Sequence, residues 1–301
     1  MTHISAKPPQ ALKGARILSL CLNLPGPAAL MRCQQMGARC VKLEPPAPAG
    51  SVSGTSGDPM CLYNRTAYAD LHKGVRVAVA DLKTEQGQKT LHRELAKTDV
   101  LLTSFRPSAL IKLGLEWKAL HKFYPALSQV AIVGAPGERA EEPGHDLTYL
   151  AEHDLVTGLD LPATLYADMS GSLMASEAVL AALLARRNGK GRYLEVALSD
   201  AAAYLALPRH WGLTQPGAAV GGGHAGYRVY RCQDGRVAVA ALEPHFAKAL
   251  CAAAQVPYAS IMTMLSPQTH QAIEAYLRGM TRQALQSLAI EHDIPLYTLP
   301  I

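Results

Sequence analysis

Short apolar runs rich in β-branched residues alternate with segments of helical spacing from Arg16 onward, and this alternation restricts the 301-residue chain more than any other feature. Residues 17–21 read as a strand, 27–36 as a helix closed by Gly37, and 40–44 as the next strand. The rhythm returns in strands at 75–82, 100–105, 127–134 and 194–198, with a helix opening at Thr84, whose hydroxyl suits an N-cap. Strands separated by helices pair in parallel and hide both faces under helical layers. The expected fold class is therefore α/β, with a parallel-sheet, Rossmann-like large domain over residues 1–215. Residues 169–187 read as one long helix, with Asp168 just before it, Arg186 and Arg187 in its last turn and Gly189 at its stop.

The texture changes near residue 217. Residues 226–232 and 236–242 flank Gln233-Asp234-Gly235 and signal a hairpin, after which amphipathic helices run to about residue 291. A smaller α+β domain is expected over 216–293, and residues 294–301 are expected to carry a last strand back towards the large domain. Charge and cysteine usage narrow the function classes. Twenty-nine basic residues against 24 acidic ones are spread along the chain without a basic block, which argues against nucleic acid as a partner. The six cysteines show neither C-x-x-C pairs nor His spacing for zinc, so no metal is expected and a reducing cytoplasm is the expected location. No charged-then-apolar signal segment opens the sequence, and apolar stretches such as 178–185 are too short to span a bilayer, so no membrane partner is expected. Leu24-Pro25-Gly26-Pro27 stands where a nicotinamide dehydrogenase would carry G-x-G-x-x-G, and Gly221-Gly222-Gly223 precedes a hairpin and reads as a flexible connection.

Three local groups offer chemistry: Gly144-His145-Asp146, the Asp168-Met169-Ser170-Gly171-Ser172 turn, and Glu243-Pro244-His245. A His and a carboxylate on opposite faces of a carbon can remove a proton from one side and return it from the other. Taken singly, each group also reads structurally. Asp168 suits an N-cap, His145 and Asp146 suit a helix start, and Glu243-Pro244 suits the first turn of a helix.

The order of segments separates these readings. Leu22-Asn23-Leu24-Pro25-Gly26-Pro27, Val41-Lys42-Leu43-Glu44-Pro45-Pro46, Ala80-Asp81-Leu82-Lys83 and Phe105-Arg106-Pro107 followed by Leu113-Gly114-Leu115 resemble the opening of the family III CoA-transferases, and the family order continues to about Pro300. Gly144-His145-Asp146, Asp168 and Leu242-Glu243-Pro244-His245-Phe246 are similar to the α-methylacyl-CoA racemase branch. The resemblance implies that His145, oriented by Glu243, and Asp168 are the acid/base pair flanking the α-carbon of a 2-methylacyl-CoA thioester. An enolate oxygen needs stabilising, and the free backbone N–H groups at the N-terminus of the helix after Asp168 are the expected donors. The resemblance further implies an interlocked homodimer in which the partner's small domain helps close the cleft. Coenzyme A enters as part of the substrate, with no prosthetic group. The resemblance places Arg106 near the CoA moiety, while Lys42, Lys73, Arg76 and Gly171 are weaker candidate contacts, the three cations reading equally as surface charge.

Departures from the family pattern keep two alternatives open. Val75 replaces an expected lysine in His72-Lys73-Gly74-Val75-Arg76, and Met169-Ser170-Gly171-Ser172 replaces a glycine-rich turn. The first alternative is CoA transfer with Asp168 as nucleophile. The second is a CoA-binding relative that has lost turnover.

Overall fold

The computed structural model describes residues 10–51, 56–186 and 189–301. Six strands are β1 (Arg16–Ser19), β2 (Arg39–Glu44), β3 (Arg76–Val79), β4 (Val100–Thr103), β5 (Ser128–Val133) and β6 (Tyr193–Ala197). They pair in the order β3-β2-β1-β4-β5-β6, every pair parallel, with Ile17 opposite both Cys40 and Val100. Every residue of β4 and β5 is buried, as expected where helices cover both faces of a parallel sheet. One apolar cluster, with Ile17, Val130 and Val179, and another, with Leu18, Leu91 and Leu101, hold the helices to the sheet. The chain order reverses between β1 and β4. In a doubly wound sheet that switch point opens a crevice at the carboxyl ends of the strands.

The chain divides into two compact units, the first ending at Ala206 and the second spanning Leu207–Ile301. The break thus lies before the expected one after residue 215. In the second unit β7 (Tyr227–Cys232), β8 (Gly235–Ala240) and β9 (Leu296–Leu299) form an antiparallel sheet in that order, backed by helices Pro244–Ala253, Pro267–Arg278 and Arg282–Glu291. Residues 296–299, within the segment expected to carry a last strand, pair with β8, with Val239 opposite Leu296 and Arg236 opposite Leu299. The free edge of β8 needs backbone partners, and the last strand supplies them within its own unit.

The long helix runs Tyr166–Leu184, three residues earlier at each end than its sequence suggests. Asp168 is therefore inside its first turn and not ahead of it. Leu165 at the N-cap offers no side-chain acceptor, but Asp146 Oδ1 accepts the Asp168 N–H at 3.0 Å. A cap supplied 22 residues away in sequence is invisible to local pattern. Among the described residues this is the one helix long and apolar enough to cross a bilayer, and its Ala167, Ala175, Val179 and Ala182 are fully buried in the protein core. Arg187, expected in its last turn, lies outside the described residues. Arg186 follows the helix and pairs with Asp99 at 2.6 Å.

Candidate active site

A cleft of about 590 Å³ opens at the carboxyl ends of β1, β4 and β5, at the switch point of the sheet. The turn after β1 contributes Asn23 and Pro25, the turn after β4 contributes Ser104 and Arg106, and β5 is followed by Gly134. Opposite them stand His145, Asp146 and Tyr149 from the helix Asp146–Glu152 and its start, with Asp168 from the long helix. The sheet positions these groups because each turn leaves a strand whose register is fixed by its neighbours.

Asp168 is the chemical centre of this cleft. Burial and the nearby Asp146 carboxylate push its carboxyl up to about 6, against the opposing pull of His145. A carboxyl titrating near neutrality exchanges protons in both directions more readily than an ordinary aspartate. Asp146 is buried, and its Oδ1 is tied to the Asp168 backbone, so it anchors the turn that carries Asp168 and raises the proton affinity of its neighbour. The backbone N–H of His145 donates to Thr148 Oγ1 at 3.0 Å, and the Thr148 hydroxyl donates to the His145 carbonyl at 2.7 Å. These bonds fix the backbone while the exposed imidazole stays available to the cleft. Cys21, buried where β1 ends, has its thiol pushed up to about 11 by burial and is no thiolate nucleophile near neutral pH.

Several expected roles are corrected by their surroundings. Lys42 is wholly buried, and its ammonium donates to Glu44 Oε1 at 2.8 Å, to Asp58 and to His72 Nε2 at 2.8 Å. All three of its N–H groups are used inside the protein, so it does not reach a CoA phosphate. His72 Nδ1 lies 2.6 Å from the Tyr68 carbonyl, which places the ring proton there and leaves Nε2 to accept from Lys42. Burial, with the Lys42 charge, holds the His72 imidazole below its ordinary value and neutral. Glu44, Asp58 and His72 have the spacing of metal ligands, but the Lys42 ammonium fills the place between them. Arg76 pairs with Glu94 at 2.8 Å and lines a separate cavity with Arg16 and Arg39, strand residues at the amino ends of the sheet. Lys73 is exposed and does not line the active-site cleft.

Gly171 also has a packing reason, for a Cβ there would lie 2.3 Å from Leu198 Cδ2. The expected backbone oxyanion donors after Asp168 are taken as well, since the Met169 N–H donates to the Leu165 carbonyl at 3.0 Å and the helix continues beyond it. Arg106 does line the cleft, at the start of helix Pro107–Lys112. Glu243 is exposed at the N-cap of helix Pro244–Ala253 in the second unit and is not among the cleft residues, so a role towards His145 rests on resemblance.

Sequence reasoning passed over three groups. Asn23 adopts a left-handed backbone (φ 63°), donates its N–H to Asp58 Oδ1 at 3.0 Å and accepts from the Tyr63 hydroxyl at 3.0 Å. Tyr63 and Tyr149 complete the lining. Asn in a Pro/Gly turn is a known signal for the left-handed region, but neither tyrosine carries a local mark of its destination.

The model of CoA-transferase family III matches residues 12–299, nearly the whole chain. The chain belongs to this family. A probable fatty acyl-CoA transferase, Rv3272, of Mycobacterium tuberculosis is 32% identical over 212 residues, covering 67% of this chain and 54% of the relative. Human alpha-methylacyl-CoA racemase is 30% identical over 255 residues, covering 78% of this chain and 63% of the relative. The cinnamoyl-CoA:phenyllactate CoA-transferase of Clostridium sporogenes is 29% identical over 204 residues, 64% of this chain and 50% of its own. The family III chain thus spans between half and two thirds of the length of these curated relatives. The crystal structure of the hypothetical protein Rv3272 superposes with a TM-score of 0.80 at 24% identity, over 97% of this chain and 84% of that one, which supports the shared fold. Family III therefore brings both racemases and transferases into range, and the chemistry has to be argued from the cleft.

Proposed function

We propose that this family III protein moves the α-proton of a 2-methylacyl-CoA or similar α-branched thioester, with Asp168 and His145 as its two acid/base groups. The observation that carries this reading is the juxtaposition of an imidazole and a carboxyl pushed up to about 6 in one cleft. Proton removal from one face and return to the other need two groups that can each give and take a proton, and burial has moved the Asp168 carboxyl towards that condition. In one direction the Asp168 carboxylate takes the α-proton, the C–H electron pair moves into an enolate, and the His145 imidazolium returns a proton to the opposite face. The reverse direction exchanges the roles. Arg106 at the cleft is the cation best placed to meet a CoA phosphate. An interlocked homodimer, with Glu243 of one subunit oriented towards the other's His145, belongs to this proposal through family resemblance.

A second reading, CoA transfer through attack of the Asp168 carboxylate on the thioester, draws support from the transferases among the relatives and from the partly buried position of Asp168. It makes His145 dispensable. Deuterium incorporation at the α-carbon of 2-methylbutanoyl-CoA in heavy water, followed by NMR, separates the readings. Exchange by the wild type that both His145→Ala and Asp168→Ala abolish is the expected result. Absence of exchange in a wild type that still binds CoA directs attention to acceptor carboxylates.

A further inference from the structure

The enolate in the proposed reaction needs a hydrogen-bond donor at its oxygen, and the helix that was expected to provide one does not. We infer that the Tyr149 hydroxyl is that donor, a further catalytic group of the cleft; the inference rests on the proton-transfer reading above. Three observations converge on it.

First, Tyr149 is buried to 7% exposure with its ring in the main core cluster, yet it lines the cleft beside His145 and Asp168. A phenol so placed has little freedom to move, and a fixed donor costs no reorganisation when charge develops. Second, its oxygen sits in a slot that two glycines keep open. A Cβ at Gly134 would lie 2.3 Å from the Tyr149 oxygen, and one at Gly144 would lie 2.6 Å from it, so no other residue type fits either position without displacing the hydroxyl. Both glycines line the same cleft. Third, the hydroxyl has no hydrogen-bond partner among the described residues and faces the cleft free to donate, whereas the Tyr230 hydroxyl is spent on the Ala225 carbonyl at 2.6 Å. Asp168 and Arg106 line the same cleft as Tyr149.

The step balances without proton loss from the phenol. Asp168 takes the α-proton, the C–H pair becomes the C=C bond of the enolate, the carbonyl pair moves to oxygen, and the Tyr149 O–H donates a hydrogen bond to that oxygen throughout.

The test compares wild type, Tyr149→Phe, Gly134→Ala and Asp168→Ala in α-deuterium exchange on 2-methylbutanoyl-CoA, with CoA binding by calorimetry and a thermal melt for each. Tyr149→Phe is expected to lower kcat about 100-fold, the size of effect seen when one oxyanion donor is removed. KM, CoA affinity and melting temperature should stay near wild type, and the rise in rate near pH 6 should keep its position. Gly134→Ala, which keeps the hydroxyl but displaces it, should lower kcat as well. An exchange rate for Tyr149→Phe within 3-fold of wild type overturns the inference, and so does a loss accounted for by CoA affinity or melting temperature, since a ring that merely packs would produce it. If Asp168→Ala exchanges as fast as wild type, or wild type does not exchange, the parent reading falls and takes this one with it. If Asp168→Ala is inactive while Tyr149→Phe is not, only this inference falls.

Discussion

At the scale of single residues, the same side chains change meaning with their surroundings. Lys42 and Asp168 are both charged groups near the carboxyl edge of one sheet, yet one is saturated and the other is poised. Lys42 gives all its N–H groups to Glu44, Asp58 and His72, while Asp58 in turn accepts from the backbones of Asn23 and Met60 at 3.0 and 2.9 Å. The lysine therefore holds the cleft wall from behind. Lys42→Met leaves two buried carboxylates without their cation and should lower stability by about 3–5 kcal/mol in urea unfolding. The folded fraction should bind CoA as wild type does, whereas a phosphate ligand would lose affinity at little cost in stability. Asn23 and the His72 tautomer follow from the same cluster, none of which is legible in the spacing of Val41-Lys42-Leu43-Glu44.

At the scale of elements, helix starts are set by whichever group caps them, and that group need not be local. Thr84, Ser266 and Thr281 cap their own helices, accepting from Gly87, Thr269 and Ala284, and their sequences announce it. The helix bearing Asp168 is capped instead by Asp146, which also raises the Asp168 carboxyl through its charge. The two effects can be separated. Asp146→Asn keeps an acceptor for the Asp168 N–H and removes the charge, so the Asp168 carboxyl should titrate lower than about 6. In the proposed proton transfer Asp168 acts as base in its ionised form, so the acid limb of the rate profile should move to lower pH, measured as kcat/KM for deuterium exchange. Asp146→Ala loses the cap as well and should cost about 1 kcal/mol more in stability than Asn does. The strands, by contrast, need no distant help. β4 and β5 are buried on both faces and fall within one or two residues of where their apolar runs end.

At the scale of the whole molecule, the chain has separate cores. Leu250, Ile273 and Leu285 are fully buried in a cluster confined to the second unit, while Leu101 and Val130 belong to clusters of the first. Leu250→Ala should therefore cost about 2–5 kcal/mol from the second unit and shift its calorimetric transition while leaving that of the first in place. Joint movement of both would show that they unfold as one. The parallel sheet, the hairpin and the existence of a second unit were determined by the sequence alone, because hydrophobic period and turn chemistry act over a few residues and survive any tertiary arrangement. His145, Asp168 and Arg106 were singled out as candidates by family resemblance, and the cleft brings the three together. Only the tertiary structure gave Lys42 and Gly171 a packing reason and decided that Arg76 lines another cavity. It also placed the last strand with β8, gave Asp168 its cap in Asp146 and brought Tyr149 to the cleft. Each of these depends on a partner far away in the chain, and burial, ion pairing and pKa are properties of that partner's position rather than of the residue itself.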